Sequence, residues 1–172
     1  MGKSSLIWLV ALGMVVAGLS GCSTGPSRAG GFAIYLVKGG AVDAGADLSR
    51  LELEPTPFLS LDDIVAYTWE THEIALTEAA RQRVARLEVP VTNGVPFVVC
   101  VGAERIYSGA FWVSYSSMSY AGIVIDTLPA QAGSSLIRLQ LGYPEAPELF
   151  TGEDLRADPR IRQLLKPTGE LR

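Results

Sequence analysis

Few side chains of this 172-residue chain are equipped to do more than pack. His72 is its single histidine and Cys100 is one of two cysteines. A Cys100–His72 dyad would need hydrogen-bond contact between the two and a third group to orient the imidazole. Such contact requires that the strands carrying them pair. Taken singly, each residue has a plainer reading. His72 falls in an extended run, Thr68 to Leu76, flanked by Glu70 and Glu73, as a surface or partly buried residue. Cys100 lies inside Phe97-Val98-Val99-Cys100-Val101, where a thiol behaves as a small buried hydrophobe with no adjacent cation to activate it. One histidine excludes a histidine-rich metal site, and zinc would need carboxylates plus Cys100 to complete its ligands. Neither a metal nor another cofactor is expected.

Asp62-Asp63 is a carboxylate pair, but neighbours on a helix diverge by about 100° and the turn after Ser60 gives them a capping role. Gly39-Gly40 follows a strand without the Lys-Ser or helix that a phosphate loop requires. A Gly-x-Ser-x-Gly elbow is missing from the sequence. No catalytic residue is therefore nominated. The richest remaining cluster is aromatic: Tyr107, Phe111, Trp112, Tyr115 and Tyr120, interleaved with Ser114, Ser116, Ser117 and Ser119. Alternate strand residues share a face, so the cluster reads either as core with ordinary turn serines or as an exposed surface. In the second case Tyr107, Trp112, Tyr115 and Tyr120 would contact a protein or glycan, with large rings carrying polar handles.

The other cysteine, Cys22, carries a different chemistry. Lys3 supplies a positive n-region, Leu6 to Ala17 an apolar h-region, and the small pair Ser20-Gly21 a cleavage point. Leu19-Ser20-Gly21-Cys22 resembles the bacterial lipobox. That resemblance implies that residues 1–21 are a signal peptide and that Cys22 is lipidated and becomes the mature N-terminus at a bacterial envelope membrane. Ser23 in place of aspartate resembles the outer-membrane-directed case, facing the periplasm if the cell is Gram-negative. Leu6 to Leu19 falls short of the roughly 20 apolar residues a spanning helix needs.

Residues 22–31 then form the lipidated cysteine and a small, polar tether. The stretch 23–31 reaches at most ~30 Å extended and about 17 Å as a coil, which holds residues 32–172 near the lipid surface. Loss of Lys3 leaves 13 of the 14 basic residues against 18 acidic ones, an excess of five negative charges. Scattered basic residues in an acidic domain argue against a nucleic-acid partner. With Cys22 acylated, Cys100 has no disulfide partner, so the hydrophobic core alone must stabilise the fold.

The positioning elements follow from periodicity. Phe32 to Lys38, Pro96 to Val101, Arg105 to Tyr107, Phe111 to Tyr115, Gly122 to Asp126 and Leu136 to Leu141 read as strands, with Leu51 to Leu53 a shorter one. Ser60 caps a helix over Leu61 to Tyr67, Thr77 caps one with an Ala80-Val84-Leu87 stripe, and Asp158-Pro159 opens one that Pro167 ends. Arg81, Arg83 and Arg86 fall off the stripe as a solvated face. The sum is a single α+β domain, a mostly antiparallel sheet with helices packed on one face.

Ile74-Ala75-Leu76-Thr77-Glu78-Ala79-Ala80-Arg81, then Asn93-Gly94-Val95-Pro96-Phe97-Val98-Val99-Cys100-Val101-Gly102 and Arg105-Ile106-Tyr107-Ser108, form a pattern. It is similar to the head subdomain of the first periplasmic domain of SecD, over about Ile74 to Asp126. There a strand ending in Leu-Thr leads into a helix, and a Gly-x-Pro opens an apolar strand that turns into a second. The resemblance implies a protein-contacting module without catalytic residues. The functional expectation is a membrane-tethered, non-enzymatic interaction module of the cell envelope with an envelope protein as partner. An envelope hydrolase using Cys100 or carboxylates, and a passive structural lipoprotein, are the alternatives.

Overall fold

Alternation of large apolar side chains builds the first strand, β1 (Phe32–Leu36), which turns Phe32, Ile34 and Leu36 to the main core and Tyr35 to the opposite face. The computed structural model describes residues 31–145, 147–150 and 152–172. The signal segment 1–21, Cys22 and the tether through residue 30 lie outside the described residues. After β1 the strands are β2 (Leu59–Ser60), β3 (Ile64–Thr68), β4 (Glu73–Leu76), β5 (Val95–Val101), β6 (Glu104–Trp112), β7 (Tyr120–Asp126) and β8 (Leu136–Tyr143). The helices are α1 (Glu78–Ala85), α2 (Leu128–Gln131) and α3 (Pro159–Thr168).

All eight strands join one sheet in the order β2-β1-β5-β6-β7-β8-β4-β3. Every neighbouring pair is antiparallel except β6–β7, which is parallel from Gly109 opposite Ile123 to Trp112 opposite Asp126. The two edge strands, β2 and β3, are consecutive in the chain and separated only by the 3₁₀ turn Leu61–Asp63. The sheet therefore curls until its edges meet at that turn. Its concave side gathers inward residues from every strand, including Leu59, Ile74, Phe97, Phe111, Ile125 and Leu139, with Ala80 and Val84 of α1, Ala130 of α2 and Ile161 and Leu165 of α3. Sheet and helices thus share one core, an α+β arrangement. Beyond β3 the chain end pairs with the free edge: the Tyr67 amide donates to the Glu170 carbonyl and the Arg172 amide to that of Tyr67. That cover blunts an edge otherwise open to strand pairing.

Five sequence expectations need correction, the first being Leu51 to Leu53, which makes a single bridge from Leu53 to Val37 and no strand. Ser60 and Asp63 do form a capping box, yet it nucleates one 3₁₀ turn and not a helix to Tyr67; Ile64 to Thr68 is a strand because its β-branched and aromatic residues pair with β4. The extended run from Thr68 to Leu76 is broken by a turn at Trp69–His72, where His72 takes a left-handed φ of 54°. The separate strands at Arg105–Tyr107 and Phe111–Tyr115 are one strand, β6, that runs through Gly109 and ends at Trp112. Gly109 is a packing position, since an added Cβ would lie 2.5 Å from both the Ile123 carbonyl oxygen and the Phe97 ring. Finally, Pro167 sits inside α3, and the helix ends at Gly169 in the left-handed region that caps helix C-termini. The helix at Thr77 and the apolar strand at Pro96 to Val101 have their expected places.

Candidate functional site

The four aromatic side chains nominated from sequence do not share one surface. Tyr107 sits opposite Val99 on the concave side and is 4% exposed; Trp112, an odd number of residues further along β6, is 2% exposed on the convex side. Trp112 stacks on Tyr120 at 5.5 Å between ring centroids and meets Tyr143 at 5.8 Å. Tyr120 is half-buried, its hydroxyl donating to the Val42 carbonyl at 3.3 Å. Burial, with Asp43 nearby, pushes its phenol up to about 12. As contact residues, then, Tyr107 and Trp112 are corrected to core: strand periodicity sends one to each side of a sheet that is covered on both at this point. Tyr115 alone projects, at 64% exposure.

Tyr115 belongs to the 113–119 connection, which returns the chain from the end of β6 to the start of parallel β7. This loop is held from below. The Tyr143 hydroxyl is within hydrogen-bond distance of the Ser114 and Ser116 carbonyls at 2.7 and 3.1 Å, the Ser116 amide donates to the Val113 carbonyl at 3.0 Å, and the Met118 amide donates to the Ser116 hydroxyl at 3.1 Å. Ser116 Oγ in turn donates to the Val91 carbonyl, tying the loop to the turn that follows α1. The result is three large apolar side chains, Tyr115, Met118 at 49% and Val91 at 47% exposure, on two mutually fixed loops. Polar bonds orient these loops while their apolar side chains remain in water. Such a surface is preorganised for contact, because little loop entropy remains to be lost on binding.

A second constellation, one the sequence does not disclose, surrounds His72. The Tyr67 hydroxyl lies 3.4 Å from His72 Nδ1 and donates to the Arg156 carbonyl at 3.5 Å. The Arg156 guanidinium is committed to Asp154 at 2.8 Å and to the Leu139 carbonyl at 2.8 Å. Trp69 packs 6.3 Å from the imidazole with the Arg162 guanidinium 5.5 Å from its own ring centre. Burial raises the Tyr67 phenol well above its usual range. Burial and the Arg156 charge both lower the His72 imidazole, against a smaller opposing pull from Asp154. At neutral pH the phenol keeps its proton and the imidazole stays uncharged. Residues so far apart in sequence are gathered by the β3–β4 hairpin and the turn before α3.

The remaining nominated groups are separated. Cys100 is buried on the convex side with Val37 and Val98, and burial raises its thiol against a weaker downward effect of Arg105. Its strand, β5, does not pair with β4 beside His72, because β6, β7 and β8 lie between them; the proposed dyad therefore lacks the pairing it needs. Asp63 accepts from the Ser60 amide at 2.9 Å and pairs with Arg83 at 3.0 Å. Burial alone would raise its carboxyl, but Arg83 and the Ser60 donors together outweigh it and hold it below its ordinary range. Arg81 likewise bonds Glu78 and the Ala130 carbonyl, so these arginines brace α1. Among the described residues, no three His, Cys, Asp or Glu side chains are grouped to hold a metal ion, and no helix is long and apolar enough to cross a membrane. Cys22 lies outside the described residues. Comparison of the chain with protein-family models, curated proteins and solved structures finds no match.

Proposed function

We propose that this chain is a lipid-anchored, extracytoplasmic module of the bacterial envelope that binds a protein partner through the Tyr115 loop and acts without catalysis of its own. The carrying observation is the pinned pair of loops that presents Tyr115, Met118 and Val91 to solvent. Aromatic and methionine side chains are enriched where proteins meet, and a tyrosine fixed in place gives large contact area at low entropic cost. The lipobox-like Leu19-Ser20-Gly21-Cys22 supports the anchor, through acylation of Cys22 at the envelope membrane. The resemblance of Ile74 to Asp126 to the SecD head supports a protein-contacting role.

The two halves of this reading are tested separately. Cells fed an alkyne-tagged fatty acid should label the native chain and leave a Cys22→Ala variant unlabelled and released from membranes. Equal labelling of both would refute the anchor. For the surface, the Tyr115→Ser, Met118→Ser double variant should fold with unchanged stability and lose its envelope crosslinks; crosslinks that persist at native yield would refute the contact site.

A further inference from the structure

Every charged side chain of α3 is basic: Arg160, Arg162 and Lys166. Ile161 and Leu165 turn to the core, so Arg162 and Lys166, one helical turn apart, share an exposed stripe with Gln163. Arg160 is neutralised by Asp158 at 2.7 Å and by Glu104 at 3.1 Å. Arg162 instead lies over the Trp69 ring at 5.5 Å, and neither it nor Lys166 has an acidic partner among the described residues. Arg172, exposed and joined to Trp69 by the bond from the Trp69 amide to its carbonyl at 3.0 Å, adds a further cation. Glu70, exposed in the turn beside Trp69, opposes them. Like charges one turn apart repel along a helix, whereas an anionic surface lying across both attracts them together. The tether emerges at this same end of the molecule. The Gly102 amide in the β5–β6 turn donates to the Gly31 carbonyl at 3.0 Å, and Glu104, where β6 begins, is the residue that Arg160 reaches. The Trp112 end of β6, which leads to Tyr115, is roughly 25 Å away by the rise of an extended strand.

We infer that the outward face of α3, with Trp69 beside it, rests on the anionic headgroups of the phospholipid bilayer and so points the Tyr115 end away from the membrane. The inference rests on the anchor half of the proposed function. With Cys22 held in the bilayer and a tether reaching at most ~30 Å, docking becomes a step within one assembly, for which a weak attraction suffices. Charge selects the orientation. Residues 22–172 carry 13 basic against 18 acidic side chains, so an anionic surface repels the domain as a whole and attracts it where unpaired cations gather. Tryptophan and arginine are also the side chains that settle at a membrane interface, each with an apolar body and a polar end.

The test places the membrane-extracted chain, carrying its fatty-acid label, in vesicles of phosphatidylcholine or of phosphatidylcholine and phosphatidylglycerol in equal parts. Its lysines are then acetylated and followed by mass spectrometry. Beyond Lys3 the chain has only Lys166, on α3, and Lys38, past the far end of β1. Relative to Lys38, Lys166 should react at least about fivefold more slowly on the anionic vesicles than on the neutral ones, the attraction expected of a single basic residue. Salt at ~1 M, where the Debye length is ~3 Å, should erase that difference. Arg162→Gln should shrink the ratio and Arg162→Lys should keep it. Gln163→Arg, at an exposed position on the same stripe, should enlarge it, and this arm stands even where Arg162→Gln unfolds through loss of its Trp69 contact. Equal ratios on the two kinds of vesicle overturn the docking, as does a slowing that Lys38 shares, the mark of a domain with no preferred face. A chain that takes up no fatty-acid label refutes the anchor itself, and the docking with it.

Discussion

The bond between Asp63 and Arg83 ties the turn between the two edge strands to α1, and its removal has a calculable effect. Asp63 ends the single turn between the two edge strands, accepts from the Ser60 amide and reaches Arg83 on α1. Asp63→Ala deletes a helix-cap acceptor, typically about 1 kcal/mol. It also deletes charge-assisted bonds that would contribute about 1.5–3 kcal/mol if buried. The Arg83 side chain is 41% exposed, so solvent screening reduces that second contribution to about 1 kcal/mol. The expected loss is thus about 2 kcal/mol, against about 1 kcal/mol for Asp63→Asn, which keeps the acceptor and loses the charge. Urea unfolding followed by tryptophan fluorescence at neutral pH measures it, with Trp69 and Trp112 as packed reporters. The sign of the pH dependence follows from the depressed folded-state pKa of Asp63: its contribution is complete above the ordinary value of 3.8 and is lost as pH falls through the lower folded value. Native and variant stabilities should converge in strong acid. A loss under about 0.5 kcal/mol, or simple additivity of Asp63→Ala with Arg83→Ala, would refute the idea that this pair fastens the edge turn to α1.

Two further outcomes follow from the interior. The His72 imidazole is lowered from 6.5 by burial and Arg156, so its contribution is complete above pH 6.5 and declines as pH falls toward the lower folded value; His72→Gln should flatten the rise in urea midpoint between about pH 5 and about pH 7.5, and an unchanged slope would contradict the assignment. Cys100, buried with a raised thiol, should react with a maleimide at least about a hundredfold more slowly in the native chain than in urea. Equal rates would show that the convex-side cluster does not cover it.

What could be read directly from the sequence are the elements whose signals are local. Pro96 to Val101 is apolar at every position because β5 is covered on both faces, and Thr77 and Asp158-Pro159 announce helices through their own capping chemistry. Local signals mislead where tertiary pairing overrules them. The Ser60–Asp63 capping box is real but governs one turn, since Ile64 to Thr68 gain more as an edge strand against β4. Gly109 looks like a strand end and is instead the residue small enough for β6 to pass close to Ile123 and Phe97. The candidate site is legible only in part. Tyr115 belongs to an evident aromatic cluster, but which members face water depends on register, and a one-residue shift exchanges the two faces. The grouping of Tyr67, His72 and Arg156 depends on the β3–β4 hairpin and the turn before α3, which no short-range pattern links.

In-cell photocrosslinking from position 115 tests the central claim most directly. Arg50 serves as the control: its loop lies near the start of β6, where Arg105 bonds the Leu48 and Leu51 carbonyls, whereas Tyr115 lies beyond the end of the same strand. A photoreactive residue at 115 should give a discrete adduct with one envelope protein, absent from position 50 and abolished when Cys22→Ala frees the chain from the membrane. Indistinguishable adducts from the two positions, or none from 115 in membrane-bound protein, would contradict the account.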